Sequence, residues 1–167
     1  VRLSDKGDTL TITGGQRIFV NGGAGDDTVI YATLDAFVQN LTSDPVNMTD
    51  ELNGQGGTNT IIVNEAISLA GDLRLTLASG FQKLVQDDKG ASKITLNTAA
   101  ADIDVIDVSA STANSTVDAS NRTVAISIET GTGDDTLTGG GGDDSLTGGV
   151  GGDALNGQAG DDSYVYA

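Results

Sequence analysis

The sequence predicts an all-β chain wound as a parallel β-roll or β-helix, a β-solenoid, with one small irregular insertion. Three observations carry that reading. Residues 130–165 repeat in phase every nine residues, as TGTGDDTLT, GGGGDDSLT, GGVGGDALN and GQAGDDSYV. Apolar residues make up only 37 % of the chain, with three Phe, three Tyr and no Trp, so a globule built on large aromatics is not expected. Finally, 21 of the 24 acidic residues are Asp, which suits turns and places a carboxylate close to the backbone, rather than the helix former Glu.

Within each nine-residue copy the first six residues read as a turn and the last three as a minimal strand. Gly stands at the fourth place of every copy, Asp at the sixth, and Leu or Tyr at the eighth. The eighth residues, Leu137, Leu146, Leu155 and Tyr164, are expected to point inward. Nine residues supply one strand and one turn, so eighteen make a coil of two opposed strands. Turns then stack on the same side at every second copy, bringing Asp135 to Asp153 and Asp144 to Asp162.

Upstream the pattern loosens. Residues 22–30 (GGAGDDTVI) form a full copy with Asp27 at the sixth place, whereas residues 3–10 keep only the Asp8-Thr-Leu end. Residues 10–13 and 17–20 read as strands about a Gly14-Gly15 turn. Residues 54–62 (GQGGTNTII) are a weak copy with Asn59 in place of Asp. Residues 32–52 contain the only Pro and break the period, so they read as an insertion, either a loop or a short helix. From 53 to 129 glycines thin out, and short alternating runs recur at 72–77, 81–86, 93–97, 103–108 and 123–129. These suit irregular rungs of the same coil, with a separate antiparallel sandwich as the competing assignment. The expected divisions are 1–31, 32–52, 53–129 and 130–167.

Charge narrows the chemistry. The net charge is −16, and half of it lies after Arg122, where Glu129 and seven Asp face no Lys or Arg. Such a segment repels itself unless a counter-charge is bound. Nucleic acid and anionic membrane surfaces are poor partners for it. No apolar run approaches the ~20 residues of a membrane span, so membrane insertion is not expected. The chain has no Cys and no His, which excludes disulfides, thiolate or imidazole metal sites, a HExxH zinc site and His-dependent nucleophilic triads. Asp102 and Asp104 alternate with Ile103 and Val105, as a strand with two unlike faces does. No catalysis is expected.

Adjacent rungs of a parallel coil lie ~4.8 Å apart. Calcium accepts oxygen ligands at about 2.3–2.6 Å in flexible geometry, so an ion between two stacked turns reaches both, whereas magnesium demands shorter, stricter octahedral bonds. Calcium is therefore the expected ion, with at least two bound. One site lies between the turns ending at Asp135 and Asp153, another between those ending at Asp144 and Asp162. Carbonyls of Gly131, Gly133, Gly140, Gly142, Gly149, Gly151 and Gly160 are the expected co-ligands. A third site is expected at Asp27 with Gly23 and Gly25, drawing on Asn59 or Asp8. The alternative is a solvated glycine-Asp linker that binds nothing.

The copies at 130–165 and 22–30 resemble the RTX (repeats-in-toxin) calcium-binding nonapeptide family. That resemblance implies a right-handed roll, calcium between stacked turns, and type I secretion from a Gram-negative bacterium. It also implies a chain that stays unfolded at low cytosolic calcium and folds outside the cell. Thr130, Gln158 and Gly152 depart from the motif, but backbone carbonyls survive these changes, so weakened rather than lost sites are expected. The Tyr164-Val165-Tyr166 ending resembles the aromatic final turn of such arrays. With its Thr/Ala/Val-rich middle, the chain looks like a segment of a surface-layer or adhesin-type protein, able to contact further copies of itself or of other surface proteins. The competing expectation is an export and folding module behind a secreted protease, lipase or epimerase.

Overall fold

Runs in which every second residue is aliphatic become strands here, and the glycine- and Asp-rich intervals become the turns between them. The computed structural model describes residues 1–14, 18–33, 51–73, 78–96 and 102–167. Within them lie sixteen strands and no helix. In chain order these are β1 (Thr9–Ile12), β2 (Phe19–Asn21), β3 (Thr28–Tyr31), β4 (Glu51–Asn53), β5 (Asn59–Val63), β6 (Ser68–Leu73), β7 (Ala78–Ser79) and β8 (Phe81–Gln86). They continue with β9 (Lys93–Leu96), β10 (Val105–Val108), β11 (Thr116–Asp118), β12 (Ser127–Thr130), β13 (Thr136–Thr138), β14 (Ser145–Thr147), β15 (Ala154–Asn156) and β16 (Ser163–Val165). Residues 34–50 and 74–77 lie outside the described residues, and with them most of the expected insertion and the second half of the 72–77 run.

An eight-stranded sheet has the order β1-β3-β5-β8-β10-β12-β14-β16. A five-stranded sheet, β15-β13-β11-β9-β6, and a three-stranded one, β2-β4-β7, complete the coils. Every pairing among the described strands is parallel. The chain is therefore a parallel β-solenoid, and the antiparallel alternative for the middle is excluded.

Register stacks like on like. One inward column of the large sheet runs Leu10, Val29, Ile61, Leu84, Ile106, Ile128, Leu146, Tyr164. The five-stranded sheet contributes Ile94, Val117, Leu137 and Leu155 in register. These columns meet in one continuous apolar core in which Ile61, Leu84, Ile94, Ile106, Val117, Leu137 and Leu146 are wholly buried. The core opens toward the last rung, where Leu155 is only partly buried and Tyr164 is 44 % exposed.

Coil length varies beneath this constant register. Ser127, Ser145 and Ser163 are partners at the expected 18-residue spacing. Earlier coils run 22 residues from Lys83 to Val105 and 23 from Thr60 to Lys83, and the longest runs 32 from Thr28 to Thr60. The extra residue between Thr60 and Lys83 is taken up by a register shift beside Asn59, where Asn59 partners Phe81 and Gln82 is left over.

On the outer surface of the large sheet, Lys83 Nζ donates to Asp107 Oδ2 at 2.8 Å, across neighbouring strands. Burial pushes the Asp107 carboxyl up, but hydrogen bonds from Lys83 and from the Ser109 hydroxyl and amide outweigh it and hold the group below its ordinary value. A depressed folded value stabilises the fold fully above the ordinary carboxylate range, and that contribution is lost as pH falls through the lower folded value. Asp107→Asn should therefore flatten the acid limb of the stability curve, by less than ~1 kcal/mol for a pair this exposed. Urea unfolding across that limb measures it. Leu84→Ala removes a wholly buried side chain from the middle of the core column and should cost about 3 kcal/mol in the same assay.

Candidate metal centre

The two acidic residues of each turn hold the coils together in opposite directions. Sixth-place carboxylates reach toward the preceding coil: Asp153 Oδ1 accepts from the Asp135 amide at 2.9 Å, and Asp162 Oδ1 from the Asp144 amide at 2.9 Å. Asp135 and Asp144 extend the same columns onto the amides of Ser115 (2.6 Å) and Ile126 (2.9 Å). Asp27 does so on the Asp8 amide at 3.0 Å. Fifth-place carboxylates reach the other way, Asp134 Oδ1 accepting from Gly152 N–H, Asp143 from Asp161 N–H and Asp26 from Thr58 N–H, all at 2.8–2.9 Å. The doubled DD of each copy was the signal for the fifth-place role, which spacing alone did not assign.

Each sixth-place Asp has one oxygen left over, and it turns back into its own loop. A Cβ built on the first glycine of the copy would lie 2.0–2.4 Å from it, at Gly22 against Asp27, Gly139 against Asp144, Gly148 against Asp153 and Gly157 against Asp162. Asp144 Oδ2 is met by the Gly140 amide at 2.7 Å. The Oδ2 atoms of Asp27, Asp135 and Asp153 are buried and have no hydrogen-bond partner.

The glycines at the second and fourth places allow carbonyls of one coil to approach the backbone of the next. A Cβ on Gly149, at φ +75°, would lie 1.9 Å from the Gly131 carbonyl, and one on Gly151 1.9 Å from that of Gly133. Gly160 stands likewise 2.1 Å from the Gly142 carbonyl, and Gly57 2.2 Å from that of Gly25. Backbone bonds fix the stack, since the carbonyls of Gly131 and Gly140 accept from Val150 and Ala159. Gln158, which replaces the second glycine of its copy, adopts φ +72°, and Gln55 does the same at φ +57°. Both follow Asn-Gly, and the Asn side chain two residues back accepts the glutamine amide, Asn156 at 3.1 Å and Asn53 at 3.2 Å. An Asx turn thus holds a left-handed residue that is not glycine.

Electrostatics then demand a cation. Two carboxylates one rung apart repel by about 3 kcal/mol at an effective dielectric of ~20, and a buried carboxylate oxygen without a donor adds a desolvation cost of its own. The donor set is all oxygen, with the partnerless Oδ2 atoms beside stacked glycine carbonyls, and this suits calcium. Among the described residues no three acidic side chains converge on one point, so backbone carbonyls must supply most ligands. Asp135 with Asp153 and Asp144 with Asp162 are brought together, with Gly131, Gly133, Gly140, Gly142, Gly149, Gly151 and Gly160 in the turns between them.

Three positions in the expected set are used differently. Asn59 Oδ1 accepts from the Asp27 amide at 2.7 Å while its Nδ2 donates to the carbonyls of Gly80 and Gly56. Its nitrogen is a donor and does not ligate a cation. Asp8 Oδ2 is occupied by the Ser4 hydroxyl (2.7 Å) and amide (2.6 Å), bonds that hold its carboxyl below the ordinary value against a smaller push from burial. Near Asp27, the Ser4 carbonyl would lie 2.3 Å from a Cβ on Gly23, a contact that sequence reasoning missed. Arg122 was also missed. It is buried, and burial pushes its guanidinium down while Asp104, Asp144 and Asp102 hold it up.

Gly149→Ala should destabilise the protein by about 3 kcal/mol, because it adds a left-handed alanine and a clash with the Gly131 carbonyl. Gly152→Ala should be nearly neutral, since the nearest atom to its new Cβ is the end of the Asp134 side chain, 3.2 Å away. Paired urea titrations in calcium measure the contrast.

No curated protein and no solved structure matches the chain. The family model of the RTX calcium-binding nonapeptide repeat matches in four copies, over residues 19–32 and 129–164. Those are the segments in which the acidic columns and glycine carbonyl stacks recur. The two blocks of turns are RTX calcium-binding nonapeptide repeats.

Proposed function

We propose that this calcium-binding module is a non-catalytic building block of a secreted bacterial protein, stapled by its ions and set at the outer cell surface in a surface layer or an adhesin. The observation that carries the calcium reading is the set of buried, partnerless Oδ2 atoms of Asp27, Asp135 and Asp153 inside stacked glycine turns. When bound, calcium supplies two positive charges and takes about six to eight oxygen ligands.

The chain's own groups do the rest. Asp135 and Asp153 on one side of the coil, and Asp144 and Asp162 on the other, orient one oxygen along the stack through backbone amides and leave the second for the ion. Glycine carbonyls of the same turns complete each site, and Asp27 with Gly23 and Gly25 forms a further one. Asn59 and Asp8 are left out of that set because their side-chain groups are already engaged. Coordination couples to folding because the stacked carbonyls converge only in the folded coil. A surface role accords with the rigid repeating coil and the acidic, His- and Cys-free composition. The export reading rests on the repeat type.

Calcium added to EGTA-stripped protein should raise the far-ultraviolet β signal cooperatively and add about 2.7 kcal/mol per site at a hundred times its dissociation constant. Asp135→Asn with Asp153→Asn should lose that gain, and magnesium should not replace calcium. No bound calcium by isothermal titration would sink the proposal. Light scattering in the same titration addresses the surface-layer role: large species favour it, and a compact monomer counts against it.

A further inference from the structure

Two columns of residues immediately precede the strands, one on each side of the coil. Before the large sheet stand Asp8, Asp27, Asn59, Gln82, Asp104, Ile126, Asp144 and Asp162; before the five-stranded sheet stand Ile67, Ser92, Ser115, Asp135 and Asp153. Both columns are acidic toward the C-terminal end, and the first is acidic again at its N-terminal end. Between those ends their chemistry changes.

Asn59 makes the same bond to the preceding coil that an Asp would, accepting from the Asp27 amide at 2.7 Å. Where Asp27 has a partnerless oxygen, Asn59 has an N–H group. That nitrogen donates to the Gly80 carbonyl at 2.7 Å and to the Gly56 carbonyl at 3.3 Å. The amide thus gathers carbonyls from two coils, as a cation would.

The other column repeats the device. Gln86 Oε1 accepts from the Ile67 amide at 2.7 Å, and its Nε2 donates to the carbonyls of Gly90 at 2.7 Å and Asp88 at 3.1 Å. The Ser92 hydroxyl donates to the same Gln86 oxygen. Ser111 Oγ lies within donating distance of the Gly90 and Ala113 carbonyls, and Ser115 Oγ accepts from the Ser92 amide at 3.0 Å. Gln86, Ser92, Ser111 and Ser115 are all buried. Where the first column reaches Ile126, the buried guanidinium of Arg122 enters from the turn before it and supplies a fixed positive charge.

We infer that the coils from β4 to β12 hold themselves together without metal, through side-chain donors that occupy the place of the ion, and that their last strands, β11 and β12, template the calcium-dependent addition of the C-terminal repeats. The pairings of β11 with β13 and of β12 with β14 are the joints at which that addition begins. The partition rests on the calcium reading of Asp135, Asp144, Asp153 and Asp162, and it makes the chain a metal-free middle with metal-dependent coils on either side.

Hydrogen exchange on the whole chain, in EGTA and in calcium, tests it. In EGTA, peptides covering Ile61, Leu84, Ile106 and Val117 should stay protected, while those covering Leu137, Leu146 and Leu155 exchange freely; calcium should protect the second group. If the middle loses protection together with the repeats, the partition is overturned and the calcium reading stands. If calcium changes protection nowhere, both fall. Asn59→Asp supplies the second arm. It keeps the bond to Asp27 and removes the donor, so in EGTA the amides of Thr60 and Ile61 should exchange about tenfold faster or more. Calcium should restore them. A variant equally weakened with and without calcium would mean that the amide does not stand in for an ion.

Discussion

Rungs of a parallel coil lie about 4.8 Å apart, and that spacing governs the chemistry of every turn in this molecule. Repeating a sequence at the coil period stacks each residue on its own kind. For Leu and Ile this is favourable, and the column from Leu10 to Tyr164 becomes the core. For Asp the same operation assembles a column of like charge in which Asp27, Asp135 and Asp144 are almost wholly buried. A solenoid built on such a repeat has to cancel that charge.

Part of the answer lies within the chain. Carboxylates at adjacent places of one turn bond in opposite directions along the stack, so each coil is tied to both neighbours by hydrogen bonds to ionised groups, which are among the stronger kind. That arrangement uses one oxygen of each sixth-place Asp and strands the other in several turns. Glycine completes the geometry by letting carbonyls crowd within reach of the stranded oxygen. The same groups that make a turn unstable alone therefore make it a ligand set.

Much of this was legible in the sequence. The nine-residue phase placed Leu137, Leu146 and Leu155 inward and paired the Asp turns across eighteen residues, because strict repetition leaves register no freedom. The middle was legible only as a class, since its coils of 22 and 23 residues share no period that an eye can follow. Residues distant in sequence decided the rest. Asn59 reads as a degraded Asp until its nitrogen is seen to meet Gly80. Gln158 reads as a lost glycine until Asn156 is found holding it in a left-handed turn. Arg122 reads as one more surface cation, and its burial depends on the fold around it.

Coil length and strand register turn out to be independent. The coil between Thr28 and Thr60 uses 32 residues where others use 18, yet β3 and β5 remain paired residue for residue. The large sheet acts as a ruler that ignores how much chain is looped out between its marks, and loop closure grows costlier only slowly with length. The segment between β3 and β4 is therefore a place where foreign peptide can be grafted, or where natural variants can differ in size, without disturbing the coils above and below it.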